Sequence, residues 1–66
     1  MRIVVNGEQK DIPEGLTVAA LIREMGLARA ACAAEVNRTL IPKREHEQRA
    51  LKEGDTVELV TLVGGG

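Results

Sequence analysis

The chain has no phenylalanine, tyrosine or tryptophan among its 66 residues. Its core must therefore be aliphatic, and it lacks the aromatic rings on which single-stranded nucleic acids stack. The single cysteine, Cys32, excludes an internal disulfide and any iron–sulfur or zinc site made of cysteines alone. The single histidine, His46, excludes a histidine pair. These scarcities predict a domain that holds no metal and is stabilised by packing alone.

An excess of charge of either sign is also lacking, since the formal net charge is −1. A nucleic-acid-binding domain normally shows a strongly basic face, so no nucleic-acid partner is expected. No apolar run approaches the length of a membrane span. The first residues reach an Asn6-Gly7 turn too soon for a signal peptide. We therefore expect a cytoplasmic protein that binds no membrane.

The N-terminal half shows local signals for a hairpin and a helix. Residues 2–5 predict a strand, Asn6-Gly7 predicts a type I′ turn, and residues 8–12 predict the returning strand. Thr17 is the expected N-cap of a helix over residues 18–25, whose apolar face would include Met25. Gly26 stands where a left-handed residue ends a helix.

The C-terminal half predicts three further strands. The first begins at Cys32 with alternate residues inward, and a turn at Asn37-Arg38 leads to a short strand at Leu40-Ile41. Residues 43–49 are polar and predict a loop with one helical turn at most. Residues 56–63 predict the last strand, which runs directly into three glycines.

One helix that crosses a small mixed sheet is a β-grasp arrangement, so the predicted fold class is α+β. The crossover through the helix allows the first and last strands to lie parallel at the centre of the sheet. The expected organisation is a single domain over residues 1–63 followed by a flexible tail over residues 64–66.

Residues that could form an active site are missing. The chain has no glycine-rich phosphate loop followed by Lys and Ser or Thr, and it has no convincing Ser, His and Asp set. A domain of this size also has little room for a catalytic cleft. We therefore expect no catalytic residues and no bound cofactor, and a protein that is not itself an enzyme.

The tail is the part that could carry chemistry. Gly64 and Gly65 form a thread without side chains that could enter a channel too narrow for other residues. Gly66 would end it in a carboxylate, which is ionised at neutral pH. A carboxylate is a poor acyl donor until it becomes a mixed anhydride, for instance with ATP. Nothing in this chain could bind ATP, so another protein would have to activate Gly66.

The strand before the tail offers a surface on which a partner could dock. If Val57, Leu59 and Thr61 face the core, then Val60 and Leu62 face outward beside the tail. Exposed aliphatic side chains there would form a docking patch. Two alternatives stay open at this point, because the glycines could be a frayed end and the aliphatic residues could lie under a covered sheet face.

Several short segments together resemble the family of thiamine-biosynthesis sulfur carriers, ThiS. Each segment is weak by itself, but the set covers almost the whole chain in order. The segments are Ile3-Val4-Val5-Asn6-Gly7-Glu8; Thr17-Val18 with Leu21-Ile22; Glu35-Val36-Asn37 followed by Leu40-Ile41-Pro42-Lys43; Glu53-Gly54-Asp55 with Val57-Glu58-Leu59-Val60; and Val63-Gly64-Gly65-Gly66.

The resemblance implies a β-grasp carrier that serves as a co-substrate of other proteins. It implies that an adenylating E1-like enzyme uses ATP to form an acyl-adenylate at Gly66. A sulfur donor such as a cysteine desulfurase would then convert Gly66 to a thiocarboxylate, and thiazole synthase would take the sulfur for the thiazole ring of thiamine. The alternatives are the small subunit of molybdopterin synthase, another thiocarboxylate carrier, or a ubiquitin-like binding module without tail chemistry.

Three other residues are candidates for functional groups, and each has a simpler interpretation. Cys32 could be a sulfur-bearing thiol, but its alternation with Ala34 and Val36 predicts a small core residue. His46 stands among charged residues, which predicts a solvated surface side chain. Met25 has helical core spacing and is expected to serve packing.

Overall fold

The structure is a computed structural model and describes residues 1–27 and 31–61. Its elements follow the order that the sequence predicts. They are β1 (Arg2–Val5), β2 (Glu8–Asp11), α1 (Val18–Glu24), β3 (Cys32–Val36), β4 (Thr39–Ile41), a 3₁₀ turn (Lys43–Glu45) and β5 (Thr56–Thr61).

The five strands form one mixed sheet in the order β2-β1-β5-β3-β4. β1 and β5 are parallel, with Val4 opposite Thr56 and Val5 opposite Val57, and the other pairs are antiparallel. The predicted central parallel pair is therefore confirmed. A mixed sheet crossed by one helix in the described residues is the β-grasp fold.

Both hairpins turn through two residues with positive φ. Asn6 and Gly7 have φ of 50° and 84°, and Asn37 and Arg38 have φ of 52° and 70°. Two positive values are what a type I′ turn requires, and this turn matches the twist of the strands it joins. The turns predicted at both positions are confirmed.

The start of α1 is fixed by Thr17. Its hydroxyl oxygen accepts a hydrogen bond from the backbone N–H of Ala20 at 3.1 Å, which satisfies one of the free donors of the first turn. The predicted N-cap is therefore confirmed.

The end of α1 is fixed by Gly26, whose φ of +76° is left-handed. The N–H of Gly26 donates to the carbonyl of Arg23 and that of Leu27 to the carbonyl of Ile22, both at 3.0 Å. These two bonds form a Schellman motif, in which Leu27 returns to pack against the core.

The core lies between α1 and the inner face of the sheet. α1 contributes Val18, Leu21 and Ile22, which are buried. Each strand contributes every second residue, because successive side chains of a strand point to opposite faces of the sheet. The buried strand residues are Ile3, Val5, Ala34, Val36, Ile41, Val57 and Leu59, and Ile12 and Leu51 complete the core.

The core position expected for Met25 is wrong. α1 ends at Glu24, and Met25 is the C-cap residue with φ of −81° and ψ of 1°. Its side chain is 38% exposed. Because the chain leaves helical geometry at this residue, Met25 no longer falls on the apolar face that the 3.6-residue period would give it.

The surface position expected for His46 is also wrong, since His46 is buried with 7% exposure. The segment after the 3₁₀ turn folds back onto the start of α1, where the backbone N–H of Ala19 donates to the carbonyl of His46 at 2.9 Å. The Nε2 atom of His46 lies 3.0 Å from the carbonyl oxygen of Ile41. A carbonyl can only accept, so Nε2 carries the proton and joins this segment to β4.

Candidate functional site

β5 is the strand that leads toward the glycines, and it lies between β1 and β3 in the sheet. Asn6, just after β1, continues the contact with β5. Its backbone N–H donates to the carbonyl of Val57 at 2.9 Å, and its side-chain Oδ1 accepts from the backbone N–H of Leu59 at 2.8 Å. The first hairpin therefore holds β5 beyond the last residue of β1.

The start of β5 is fixed by the Asn37 and Asp55 side chains. The N–H of Thr56 donates to Oδ1 of Asn37 at 2.9 Å, and Nδ2 of Asn37 donates to Oδ1 of Asp55 at 3.0 Å. The other oxygen of buried Asp55 accepts from the backbone N–H of Lys52 at 2.8 Å. A buried carboxylate with these donors is satisfied and rigid.

The sequence predicts Asn37 and Asp55 as turn residues alone. Asn and Asp do favour turns, and that signal is local. The side-chain bond between them spans 18 positions of the chain, so no local pattern could have revealed it. These residues position the strand before the tail and do not form a reactive site.

Of the two predicted docking residues, Val60 lies on β5 opposite Ala33 and is 54% exposed. It belongs to the sheet face that α1 does not cover, so the expected outward orientation is confirmed. Its role in docking is still a prediction. Leu62, the other predicted docking residue, lies outside the described residues.

Thr61 lies directly opposite Cys32, which packs against the core, so it is on the inner side of the sheet as expected, but it is exposed. Val57 and Leu59 are buried as predicted. The inner side is uncovered at the end of the strand for a reason of length. The seven residues of α1 span about 10 Å, whereas the six residues of β5 span about 20 Å, so the helix cannot cover both ends of the strand.

The uncovered side of β3, β4 and β5 presents a mixed group of side chains that we call the outer sheet face. It contains two of the exposed large aliphatic residues, Val60 at 54% and Leu40 at 62% exposure. Glu35 stands directly opposite Leu40 on β4 and directly opposite Glu58 on β5, and both glutamates are exposed. The outer sheet face comprises Ala33, Glu35, Leu40, Glu58 and Val60.

Leu40, Glu35 and Glu58 are not among the docking residues that the sequence predicts. Period-2 alternation could place each of them outward on its own strand. Their grouping depends on the pairing of β3 with both neighbours, which only the tertiary structure supplies.

The predicted tail residues Gly64, Gly65 and Gly66 lie outside the described residues. The same holds for the predicted boundary between domain and tail. The structure thus places the strand that precedes the tail, whereas the chemistry assigned to Gly66 stays a prediction.

Cys32 is half-buried at the start of β3 and packs against the core, opposite Thr61. Burial raises the pKa of its thiol above the ordinary range. The thiolate is the nucleophilic form of cysteine, so this environment disfavours reactivity. Cys32 is therefore placed as a small packing residue, as predicted, and not as a reactive thiol.

A cavity of about 500 Å³ is lined by Arg44, Glu45, Gln48 and Arg49, none of which belongs to β5 or the outer sheet face. Within residues 1–27 and 31–61, no three His, Cys, Asp or Glu side chains form a metal-binding group. In the same part of the chain, no helix has the length and hydropathy needed to cross a bilayer.

Comparison with known proteins decides the family. The model of the ThiS family matches residues 3–66, nearly the whole chain. The chain belongs to the ThiS family. The family resemblance predicted from the sequence is thereby confirmed.

Individual relatives agree with this assignment. The chain is 36% identical over 62 residues to the sulfur carrier protein ThiS of Thermus thermophilus, which covers 94% of this chain and 95% of that protein. A crystal structure of a thiamine biosynthesis protein (ThiS) from Geobacter metallireducens superposes with a TM-score of 0.84 at 29% identity and covers all of both chains.

A third relative is much longer. The chain is 38% identical over all its 66 residues to a thiazole synthase of Paramagnetospirillum magneticum. It spans only 20% of the length of that relative. The similarity therefore concerns a part of that protein that is equivalent to this whole chain.

Proposed function

We propose that this member of the ThiS family is a sulfur carrier for the formation of the thiazole moiety of thiamine, and that it acts as a protein co-substrate and not as an enzyme. One observation carries the proposal. The family match extends from residue 3 to residue 66, so it includes the three glycines as well as the β-grasp body.

The proposed chemistry takes place at the carboxylate of Gly66. In an adenylating E1-like enzyme, a carboxylate oxygen attacks the α-phosphorus of ATP, pyrophosphate leaves, and an acyl-adenylate forms. Hydrosulfide attacks the acyl carbon and displaces AMP; where a cysteine desulfurase is the donor, its persulfide attacks instead, and a thiol then reduces the S–S bond of the resulting acyl disulfide. The product is a thiocarboxylate, whose sulfur is then transferred to the thiazole precursor on thiazole synthase. ATP is a substrate of the enzyme and needs no binding site on the carrier.

In this proposal the body and the tail have separate tasks. Three extended residues reach about 10 Å, enough to carry the Gly66 carboxylate into a narrow site while the body stays outside. Glycine lacks a Cβ, so Gly64 and Gly65 add no width to the thread. The outer sheet face, with exposed Val60 near the end of β5, would dock on the partner, together with Leu62.

A sequence similarity supports one of the proposed partners, and chemical requirements support the other two. A thiazole synthase contains a segment similar to all of this chain, which supports thiazole synthase as the acceptor. The adenylating enzyme and the sulfur donor follow from the chemistry that a carboxylate requires. A cytoplasmic location is part of the proposal, because the adenylation of Gly66 requires ATP and the transfer of sulfur requires a sulfur donor.

The test is the intact mass of the carrier after incubation with the adenylating enzyme, ATP and a sulfur source. The expected product is heavier by the difference between one sulfur and one oxygen atom, and the added mass maps to Gly66. Transfer is then followed with thiazole synthase. If the mass never changes, the chain is a binding module without tail chemistry. If the thiocarboxylate forms but serves only molybdopterin synthesis, the proposed acceptor is wrong.

A further inference from the structure

A cavity of about 200 Å³ lies between α1 and the segment that follows β4. Its apolar wall comes from Ala19 and Ile22 on α1 and from Cys32 at the start of β3, and buried His46 lines it from the segment after β4. We call it the inner cavity, because Cys32 packs on the inner side of the sheet. Sites for small molecules usually begin at about 300 Å³, so the inner cavity fits a short piece of peptide chain better than a cofactor.

The rim of the inner cavity is basic. Arg23 of α1 and Lys43 of the 3₁₀ turn line it, and both are exposed. Neither forms an ion pair with a side chain described in residues 1–27 and 31–61. Glu47 is the one carboxylate in the lining, so positive charge is in excess. An apolar wall with a positive rim suits an anionic group that is joined to a small apolar side chain.

The inner cavity lies next to the last residue of β5. Cys32, which lines the cavity, stands directly opposite Thr61. Directly opposite residues of an antiparallel pair have Cα atoms about 5 Å apart. Residues 62–66 span at most about 17 Å when extended, which is about three times that distance. This segment is therefore long enough to turn back and reach the cavity.

The residue types of this segment match the inner cavity. Period 2 along β5 assigns Val63 to the inner side, where an apolar side chain meets the apolar wall. Gly64 and Gly65 accept the positive φ that a reversal of the chain requires. In the proposed function Gly66 carries an ionised carboxylate, which the basic rim attracts.

We propose that the inner cavity is a binding site for residues 62–66 of the same chain. Val63 packs against Ile22 there. The Gly66 carboxylate pairs with Lys43 and Arg23. The docked form exchanges with an extended form, and only the extended form enters the adenylating enzyme, so docking competes with adenylation. This inference rests on the proposed function, which supplies both the carboxylate and the enzyme.

The docked and extended forms are close in free energy. Water screens an ion pair at an exposed rim, and closing the loop costs conformational entropy, so the contact of Val63 is offset. The expected occupancy of the docked form is about one half, which doubles the apparent KM of the carrier relative to a chain that cannot dock. An occupancy of this size changes the melting temperature too little to measure.

The first test is NMR of the free full-length carrier, which needs no partner. The variant is Lys43→Gln with Arg23→Gln, and its control is Lys52→Gln, which removes a positive charge before β5, at the opposite end of that strand. The pKa of the Gly66 carboxyl should be lower in wild type and in the control than in the double variant, because the rim stabilises the ionised form. The amide signal of Cys32 should shift as that carboxyl titrates, except in the double variant. High ionic strength should remove both effects.

The second test is ATP–pyrophosphate exchange by the purified adenylating enzyme, with the full-length carrier as the varied substrate. The KM of the double variant should be about half that of wild type, with kcat unchanged and Lys52→Gln equal to wild type. Glu47→Gln removes the carboxylate of the lining, so it should strengthen docking and raise KM. Direct contact of the rim with an acidic surface of the enzyme would change both KM values in the opposite direction.

Three outcomes would overturn the inference and leave the proposed function in place, because wild type is still adenylated. They are a Cys32 amide signal that ignores the titration of Gly66, a KM that rises in the double variant, and a titration response that disappears on dilution, which would mean binding to a second copy. If wild type is never adenylated while the NMR effects are present, the proposed function fails and the docked segment stands. Lys43 and Arg23 are exposed, so the variants should fold, and the two single variants repeat both tests with smaller effects.

Discussion

The side-chain oxygen of Asn6 accepts a hydrogen bond from the backbone N–H of Leu59 at 2.8 Å, across 53 positions of the chain. Asn6 has a left-handed φ of 50° and begins the turn between β1 and β2. One residue therefore satisfies the turn and holds the C-terminal half of β5. This relationship makes Asn6 a structural anchor for β5 as well as a turn residue.

Substitutions at Asn6 separate these two roles. Asn6→Gly accepts positive φ but loses the side-chain acceptor, so we expect a loss of about 1 kcal/mol in the free energy of unfolding. Asn6→Ala loses the acceptor and also strains the backbone, which should raise the loss to about 2 kcal/mol. Asn6→Asp keeps an acceptor and should lie closest to wild type. Urea unfolding measures all three, and equal stability of wild type and Asn6→Gly would contradict the anchoring role.

Adjacent residues of β5 should respond differently to the same change. Leu59 is 6% exposed and Val60 is 54% exposed. Leu59→Ser removes buried apolar volume and should cost about 3 kcal/mol of stability, whereas Val60→Ser should change stability by less than about 1 kcal/mol. Val60→Ser should instead raise the KM of the carrier in adenylation, because its exposed apolar contact is lost.

Val60→Ile is the control for this comparison, since it keeps an apolar β-branched side chain and should adenylate normally. Thermal unfolding and pyrophosphate exchange give the two readouts. If Val60→Ser unfolds the domain while adenylation of the folded fraction is normal, Val60 serves packing and not docking.

Buried His46 should contribute to stability. His46→Leu fills similar space but leaves the carbonyl of Ile41 without its 3.0 Å donor, which should cost about 1–3 kcal/mol. His46→Gln supplies an N–H donor and should recover part of that loss. Urea unfolding at a fixed pH is the measurement. A solvated histidine would give changes within about 0.5 kcal/mol for both variants, which would contradict the buried position.

The tail variants test function without testing the fold. Removal of Gly65 and Gly66 should abolish adenylation and leave the melting temperature unchanged, because glycine has no side chain to bury. Gly65→Ala and Gly65→Val form a series of increasing bulk, and adenylation should fall along it if the thread enters a narrow channel. Normal adenylation of Gly65→Val would count against that channel, and a large loss of stability on truncation would show that the tail is structural.

Cys32 should be inert near neutral pH. Burial raises the pKa of its thiol, so the folded protein should react with iodoacetamide more slowly than the unfolded chain at the same pH. The raised pKa of Cys32 also makes the stability of the folded protein depend on pH. The contribution of the buried neutral thiol is fully present below the ordinary thiol pKa and is lost as pH rises through the folded value. Cys32→Ser should still form the thiocarboxylate; loss of sulfur carriage in this variant would make Cys32 a reactive thiol.

The local elements were predictable from the sequence because their signals are local. Asn6-Gly7 gave the hairpin, Thr17 gave the start of the helix, and Gly26 gave its end, each through a preference of one or two residues. The errors have the opposite origin. Met25 and His46 were misplaced because their exposure depends on where the helix stops and on a loop that folds back.

The sequence by itself determined the order of elements and the aliphatic core, and it predicts chemistry at Gly66 that needs a partner. The family resemblance was also readable there, because it depends on the order and spacing of short segments. Tertiary structure alone decided which side chains meet. It brought Asn6 to Leu59, Asn37 to Asp55 and Glu35 to Glu58, since pairing across a sheet joins residues that no local pattern connects.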